Sequence, residues 1–304
     1  MAREIESEVV VDMGWGRLIF GQTFPSPRTL VDTLLQERPM ERDIALYLRD
    51  PHVAISYAPQ EVFLDPSHTY RLWAHAYTPR DTEPRSFVVR RLRDRIDTDR
   101  INYIYAARKM AVADPDVILS EKASRTLTFF VAESTVDGTI VGTVTGVDHV
   151  EAFNDPERGA SLWCLAVHPQ VSVPGLGEAL VRHLVEHYFA RGRDYVDLSV
   201  MHDNAEAIRL YEKLGFQRVP VFCIKRKNPI NEPLFTPPEY KWNLNPYAEI
   251  IVNEALRRGI SVDVQDEELS YFVLSHGGRS IACRESLTEL TSALAFSRCD
   301  DKRM

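Results

Sequence analysis

Hydrophobic positions along this chain switch between two periods. T-L-T-F-F-V-A-E from Thr126 and T-I-V-G-T-V-T-G-V from Thr139 are rich in β-branched and aromatic residues and predict strands. Asp137-Gly138 between them is a hairpin turn signal. S-L-W-C-L-A-V-H-P from Ser161 predicts a buried strand, and Y-V-D-L-S-V from Tyr195 predicts another. Between these two, Leu176, Ala179, Leu180, Leu184, Tyr188 and Phe189 share one face of a helix. Beyond Tyr195, Ala207, Ile208, Tyr211 and Leu214 sit at i, i+1, i+4 and i+7, a second amphipathic helix that Gly215 stops. The order strand, glycine turn, helix, strand, helix places the middle of the chain in the α/β class.

The flanks repeat this alternation more weakly. W-G-R-L-I-F from Trp15, D-I-A-L-Y-L-R from Asp43, H-V-A-I-S-Y from His52 and T-Y-R-L-W-A-H-A-Y from Thr69 predict strands. Leu30, Val31, Leu34 and Leu35 predict a helix that Ser26 caps and Pro27 opens. S-F-V-V-R-R-L-R-D, within a basic stretch Arg85 to Arg100, predicts a strand with a solvated face. A helix follows to about Lys109, capped by Asp97 or Thr98, and then a short one near Asp116 to Lys122. V-F-C-I-K-R-K predicts a strand ending at Asn228. The next 19 residues hold five prolines, a density that suits a linker. Tyr247 to Arg258 then predicts a helix, I-S-V-D-V, S-Y-F-V-L-S and R-S-I-A-C three strands, and Glu285 to Phe296 a last helix. The expected organisation is therefore an α/β unit over 1–84, a central domain over 85–227, a Pro-rich linker over 228–246 and a short, incomplete α/β unit over 247–304.

Composition narrows the partners. The 304 residues carry 44 acidic and 36 basic side chains, a net charge of −8, which argues against nucleic acid or an anionic membrane as the main partner. The charged start M-A-R-E-I-E-S-E lacks an apolar signal region, and no run of 18 apolar residues occurs. A cytoplasmic location is the expectation. Cys164 and Cys223 lie in apolar runs and read as buried thiols.

The candidate chemistry gathers in the middle. Gly175-Leu176-Gly177 opens a helix, where backbone amides and the positive end of the helix dipole suit an anion such as a pyrophosphate. On spacing alone, Tyr211 is a core residue of its helix. His183 and His187 are four apart, as metal ligands can be, but no third ligand stands near in sequence; a solvated helix face is the plainer reading and no metal is expected.

The strand, V-P-G-L-G-E-A-L, strand, N-A-E-A-I-R-L-Y-E-K-L-G-F order resembles the acetyl-coenzyme A core of the GNAT N-acetyltransferases, over roughly residues 86–227. The resemblance implies a mixed, mostly antiparallel sheet flanked by helices, with acetyl-CoA as cosubstrate. Leu165, Ala166 and Val167 would then bind the acetyl and pantetheine portion with their backbone. Val173, Gly175, Leu176, Gly177 and Glu178 would hold the pyrophosphate with their amides, Asn204 would contact the cofactor arm, and Tyr211 would protonate the departing thiolate. Two positions depart from the family's pattern. Ser172 stands where Arg or Gln is usual, and Ser199 where some members carry a glutamate base.

Further motifs, D-P-H-V, F-L-D-P-S-H-T-Y-R-L, T-V-T-G-V-D-H-V-E-A-F-N-D-P-E-R-G, K-R-K-N-P-I-N-E and H-G-G-R-S-I-A-C-R-E-S-L-T-E-L-T-S-A, resemble the N-acetylglutaminylglutamine synthetases. In that family a GNAT domain is fused to an ATP-grasp ligase, in osmolyte biosynthesis. The resemblance implies an acetyltransferase acting on the α-amine of glutamine or a glutaminyl dipeptide, with only the start of the ligase present and no ligase activity. A homodimer is a further expectation. Acyl transfer from a protonated amine needs a base; Asp148, His149 and Glu151 are the candidates, with Glu133 weaker. Arg108, Arg125 and Arg158 are candidates for an acceptor carboxylate. A non-catalytic CoA-binding or docking domain, and a structural remnant, are the competing readings.

Overall fold

The structure, a computed structural model, describes residues 4–80, 86–171, 173–235 and 242–300, with side chains as far as 298. Ser172, the expected gap among the phosphate contacts, lies outside the described residues. The chain packs as two units, Met1–Phe235 and Thr236–Met304.

The first unit opens with β1 (Val10–Asp12), β2 (Arg17–Phe20), α1 (Pro27–Leu34), β3 (Ile44–Leu48), α2 (Pro51–Tyr57), β4 (Val62–Leu64) and β5 (Ser67–Trp73). It continues with β6 (Phe87–Arg91), α3 (Arg95–Ala107), α4 (Pro115–Ser120), β7 (Leu127–Ser134), β8 (Ile140–Asp148), α5 (His149–Phe153) and β9 (Gly159–Val167). It closes with α6 (Leu176–Ala190), β10 (Tyr195–Met201), α7 (Ala205–Lys213), β11 (Gln217–Val219), β12 (Phe222–Arg226) and α8 (Glu232–Phe235). The second unit holds α9 (Pro246–Arg257), β13 (Ser261–Asp266), β14 (Tyr271–His276), β15 (Arg279–Arg284), β16 (Leu287–Thr288) and α10 (Ala293–Asp300). Its four strands form one antiparallel sheet in sequence order, against which Ala248 and Val252 of α9 bury beside Phe272.

Two sheets share the first unit. The seven-stranded sheet runs β11-β5-β10-β9-β8-β7-β6, with β9 and β10 its only parallel neighbours among the described strands. The five-stranded sheet runs β1-β2-β3-β12-β4. They are interlaced: β5, from the first part of the chain, completes the larger sheet, while β12, from beyond α7, enters the smaller one. Alternation along the strands sorts the core into layers. Val196, Leu198 and Val200 of β10 pack with Leu180, Leu184 and Tyr211 on one face of the larger sheet. The opposite face packs with Phe20, Leu46, Ile101 and Tyr105. Beneath the smaller sheet, Ile19, Ala45 and Ile224 pack on Leu30, Val31 and Leu34 of α1.

Several local readings change. Residues 51–57 are a helix, not a strand: Pro51 occupies the first turn with its φ already helical, and Pro51 and Ala54 bury one helical face that the Val53/Ile55 alternation hides. Helix α3 is capped by Asp94, which accepts from the amides of Ile96 (3.0 Å) and Asp97 (3.2 Å); Asp97 instead receives Arg90 at 2.6 and 2.9 Å. The basic stretch is thus partly folded into ion pairs, Arg90 also meeting Glu133. Within 285–296 the chain forms β16 and then α10 from Ala293, because Thr288 and Thr291 bond nearby backbone in place of a helical turn. His183 and His187 are half-buried: both rings meet Phe130 edge-on, and burial with the Arg91 charge pushes His187 down to about 4.

Candidate active site

The site begins with one extra residue. Opposite β8, Thr145 pairs with Trp163 and Thr143 with Ala166, so β9 carries a bulge, with Cys164 at φ +50°. The bulge flips the alternation. Ala160 and Leu162 face the α6 layer, Trp163 and Ala166 the opposite layer, and Leu165 and Val167 the α6 layer again. It also bends β9 away from its parallel neighbour. Strands β9 and β10 pair from Gly159↔Tyr195 to Leu162↔Leu198 and then part. Ala166 and Val167 therefore pair with Thr143 and Gly142 of β8 on one side, Leu165 lies within the bulge, and the β10 ladder does not reach any of the three. A strand edge of this kind can add an extended, amide-bearing chain.

Helix α6 starts beside that opening. Gly175 is its N-cap at φ +75°, a conformation glycine adopts without strain. Gly142, paired with Val167, lets the helix come close: a Cβ there would lie 2.6 Å from Leu176 Cδ2. The first turn, Leu176-Gly177-Glu178, thereby stands at the end of β9. Glu178 is held below the usual carboxylate range by Lys213 (2.7 Å) and, despite partial burial, by Arg182 (2.9 Å). Lys213 brings a cation from α7 to this helix start, a neighbour sequence spacing does not reveal.

Helix α7 comes in from the end of β10. Asn204 caps it, its Oδ1 accepting from Ala207 N at 3.2 Å. Tyr211 follows two turns later, roughly 10 Å along the axis at ~1.5 Å per residue. Its ring is buried against Phe216, and burial alone pushes the phenol up to about 12. A phenol with such a value keeps its proton at neutral pH and can donate it. Residues 165–167, 173–178, Asn204 and Tyr211 thus gather at one end of the β9–β10 pair.

The other candidates lie elsewhere. Asp148 pairs with Ala160, six residues from Ala166, roughly 20 Å away along the strand. Asp148 is buried, caps α5 and binds Arg193 (2.7 Å) and Arg191 (3.1 Å). Glu151 meets Arg125 (2.9 Å) and Arg191 (3.3 Å) in the same network. Arg158 bonds the carbonyl of Gly192 at 3.2 Å and lies 3.8 Å from Asp194. Arg108 alone of the three arginines reaches the opening, where its Nε donates to the Val167 carbonyl at 2.6 Å. His149 points inward, fully buried, with Nε2 3.0 Å from Ser161 Oγ. Ser199 bonds Ser67 Oγ at 2.8 Å.

On the face away from α6, two cavities share Tyr47 in their linings. A cleft of about 10 Å³ is lined by Tyr47, Ser161, Trp163, Asp197, Ser199 and Cys223, where the strands begin to part. A larger one of about 640 Å³ is lined in part by Tyr47, Arg49, Arg71, Asp155, Glu157 and Tyr195. Arg71 is held by Asp197 at 2.8 Å to each oxygen and stacks 3.6 Å over the Tyr195 ring. Arg49 makes no hydrogen bond or ion pair among the described residues. Sequence reading missed this cavity because its walls come from β3, β5, the loop before β9, and β10.

A sheet split at its parallel pair, with a helix start beside the split, has the layout of an acyltransferase. Residues 71–216 match the model of the acetyltransferase (GNAT) family, and the chain carries a GNAT-type N-acetyltransferase domain. The match begins inside β5, the strand borrowed from the first part of the chain. The chain is similar to a putative GNAT-family acetyltransferase from Novosphingobium aromaticivorans DSM 12444, at 17% identity over 73% of this chain and 89% of that one, with a TM-score of 0.49. It is also similar to a GCN5-related N-acetyltransferase from Sphaerobacter thermophilus, at 16% identity over 72% and 75% of the two chains, with a TM-score of 0.48. The family uses acetyl-CoA. Among the described residues no helix is long and apolar enough to cross a membrane.

Proposed function

We propose that this chain transfers the acetyl group of acetyl-CoA to the α-amine of a small amino-acid-type acceptor, glutamine or a glutaminyl dipeptide. The observation behind this reading is the parting of β9 and β10 after Leu162↔Leu198, beside the first turn of α6. Residues 165–167 offer a strand edge to the pantetheine arm, and the amides from Val173 to Glu178 face the pyrophosphate, with Lys213 close by. Asn204 meets the arm from the start of α7. Bound acetyl-CoA supplies a thioester whose carbonyl carbon the acceptor amine attacks, with departure of the coenzyme A thiol.

The chain's own groups do the rest. Tyr211 holds a proton that a thiolate can take. Backbone amides at the bulge are placed to meet the carbonyl oxygen. The acceptor enters from the 640 Å³ cavity, a volume suited to a small molecule, and Arg49, unpaired among the described residues, is the cation for its carboxylate. The resemblance to the N-acetylglutaminylglutamine synthetases is what favours glutamine within that class. The test supplies acetyl-CoA and a panel of amines and follows free thiol. Turnover with glutamine or a glutaminyl dipeptide above the rate with lysine side-chain or aminoglycoside amines supports the reading; coenzyme A binding without turnover on any of them replaces it with a binding module.

A further inference from the structure

The face opposite α6 holds a connected polar chain. Trp163 Nε1 donates to Ser161 Oγ at 2.8 Å. Ser161 Oγ stands 3.0 Å from His149 Nε2. His149 Nδ1 is buried, has no hydrogen-bond partner, and faces Asp155 Oδ2 at 3.7 Å. Asp155 in turn lines the 640 Å³ cavity, while Ser161 lines the small cleft where β9 and β10 begin to part. The chain thus runs from the paired stretch of β9, one residue before its last β10 partner, to an open cavity through a fully buried imidazole.

The direction of the hydrogen bonds is decided by chemistry. An indole nitrogen can only donate, so Ser161 accepts from Trp163 and its own hydrogen is left for His149. A neutral imidazole that accepts at Nε2 carries its hydrogen at Nδ1. That hydrogen then faces Asp155, which stays ionised: burial opposes its charge, but His149 and the amides of Gly159 (2.8 Å) and Glu157 (3.0 Å) outweigh it. The opposite tautomer would aim a lone pair at this carboxylate. A distance of 3.7 Å is a contact rather than a bond, and such contacts tighten when a site is loaded.

We propose that Ser161, His149 and Asp155 form the proton relay that deprotonates the acceptor amine. This rests on the acetyltransferase reading above. Ser161, which lines the cleft, is the catalytic residue; His149 and Asp155 are positioning residues that act through it. The acceptor ammonium gives one proton to Ser161 Oγ as the serine hydrogen passes to His149 Nε2, leaving an imidazolium whose Nδ1–H is stabilised by Asp155. The freed amine forms the new C–N bond as the C–S bond breaks. The amine's second proton goes to the protein as Tyr211 protonates the thiolate, and the relay proton leaves through the Asp155 cavity. The balance is one ammonium and one thioester in, one amide, one thiol and one released proton out. The other groups facing His149 are the rings of Phe20, Tyr47, Phe153 and Tyr195 and the Asp197 carboxylate, which Arg71 neutralises.

The experiment is a pH series of acetyl transfer by the full chain and by Ser161→Ala. The variant should lose roughly 100-fold in kcat below the pKa of the acceptor amine, with KM for acetyl-CoA unchanged. The deficit should close as pH rises past that pKa, where the amine is already neutral, and Ser161→Cys should recover part of the loss. A uniform loss at every pH, or a curve that superimposes on the wild type, overturns the relay and leaves the transferase standing. No transfer by the wild type overturns both. Independently of activity, ¹⁵N-histidine NMR of the full chain, assigned with His149→Gln, should show the Nδ1–H tautomer; the Nε2–H tautomer overturns the relay.

Discussion

Tyr211 is a core side chain for which we propose a chemical role. Its ring is buried among the apolar residues of α7 and β10, and that burial is what keeps the phenol protonated, up to about 12. Tyr211→Phe preserves the packing and removes only the proton. We expect kcat to fall on the order of 100-fold while coenzyme A affinity stays close to wild type, as read by steady-state kinetics and calorimetry. Below pH 12 the wild-type rate should show no loss from ionisation of this group, because its acid form is the competent one. Tyr211 and Asn204 were proposed from the sequence through the family resemblance of the one motif they share, seven residues apart. Ser161, Asp155 and Arg49 were not. Each is an ordinary residue of a strand or loop, and its partners come from other strands. The sequence offered Asp148, His149 and Glu151, at the end of the strand before the central one, as candidate bases; the structure turns the His149 imidazole inward onto Ser161.

At the scale of elements, the bulge in β9 and the glycines of β8 place the site. The alternation of S-L-W-C-L-A-V hides the extra residue, since Trp163 and Leu165 are both apolar and either parity reads as buried. Only the register against β8 exposes it. Gly146 does for the end of α6 what Gly142 does for its start. A Cβ there would lie 2.4 Å from the Tyr188 hydroxyl and 2.7 Å from Leu184 Cδ1. Gly146→Ala should therefore push α6 off the sheet and cost about 1–3 kcal/mol in chemical denaturation, with weaker coenzyme A binding as the helix start moves. Most helix and strand positions were readable from periodicity. The failures, at His52–Tyr57 and Glu285–Phe296, are places where a proline or threonine side chains decide the backbone locally. Their apolar pattern is too short to discriminate.

At the scale of the whole molecule, the acetyltransferase sheet is not a continuous segment. Strand β5 supplies the neighbour of β10, and β12 returns to the smaller sheet. A fragment over 85–227 lacks β5, leaves β10 as an open edge and exposes the apolar residues that pack against β2 and β3. We expect that fragment to aggregate, whereas residues 1–235, which form one compact unit, fold cooperatively and bind coenzyme A; circular dichroism melts and calorimetry distinguish the two. No boundary at 84 or 227 could have warned of this from composition, because strand pairing across 120 residues leaves no local signal.

The central claim is that the opening between β9 and β10 delivers an acetyl group to an amine. Incubating the full chain with acetyl-CoA and glutamine, and measuring free thiol and N-acetylated product together by mass spectrometry, tests it most directly. The account predicts thiol and N-acetyl product in equal amounts, with the acetyl group on the α-nitrogen and turnover falling sharply in Tyr211→Phe. Thiol release without acetylated amine, or no release with glutamine and every glutaminyl dipeptide offered, would contradict it.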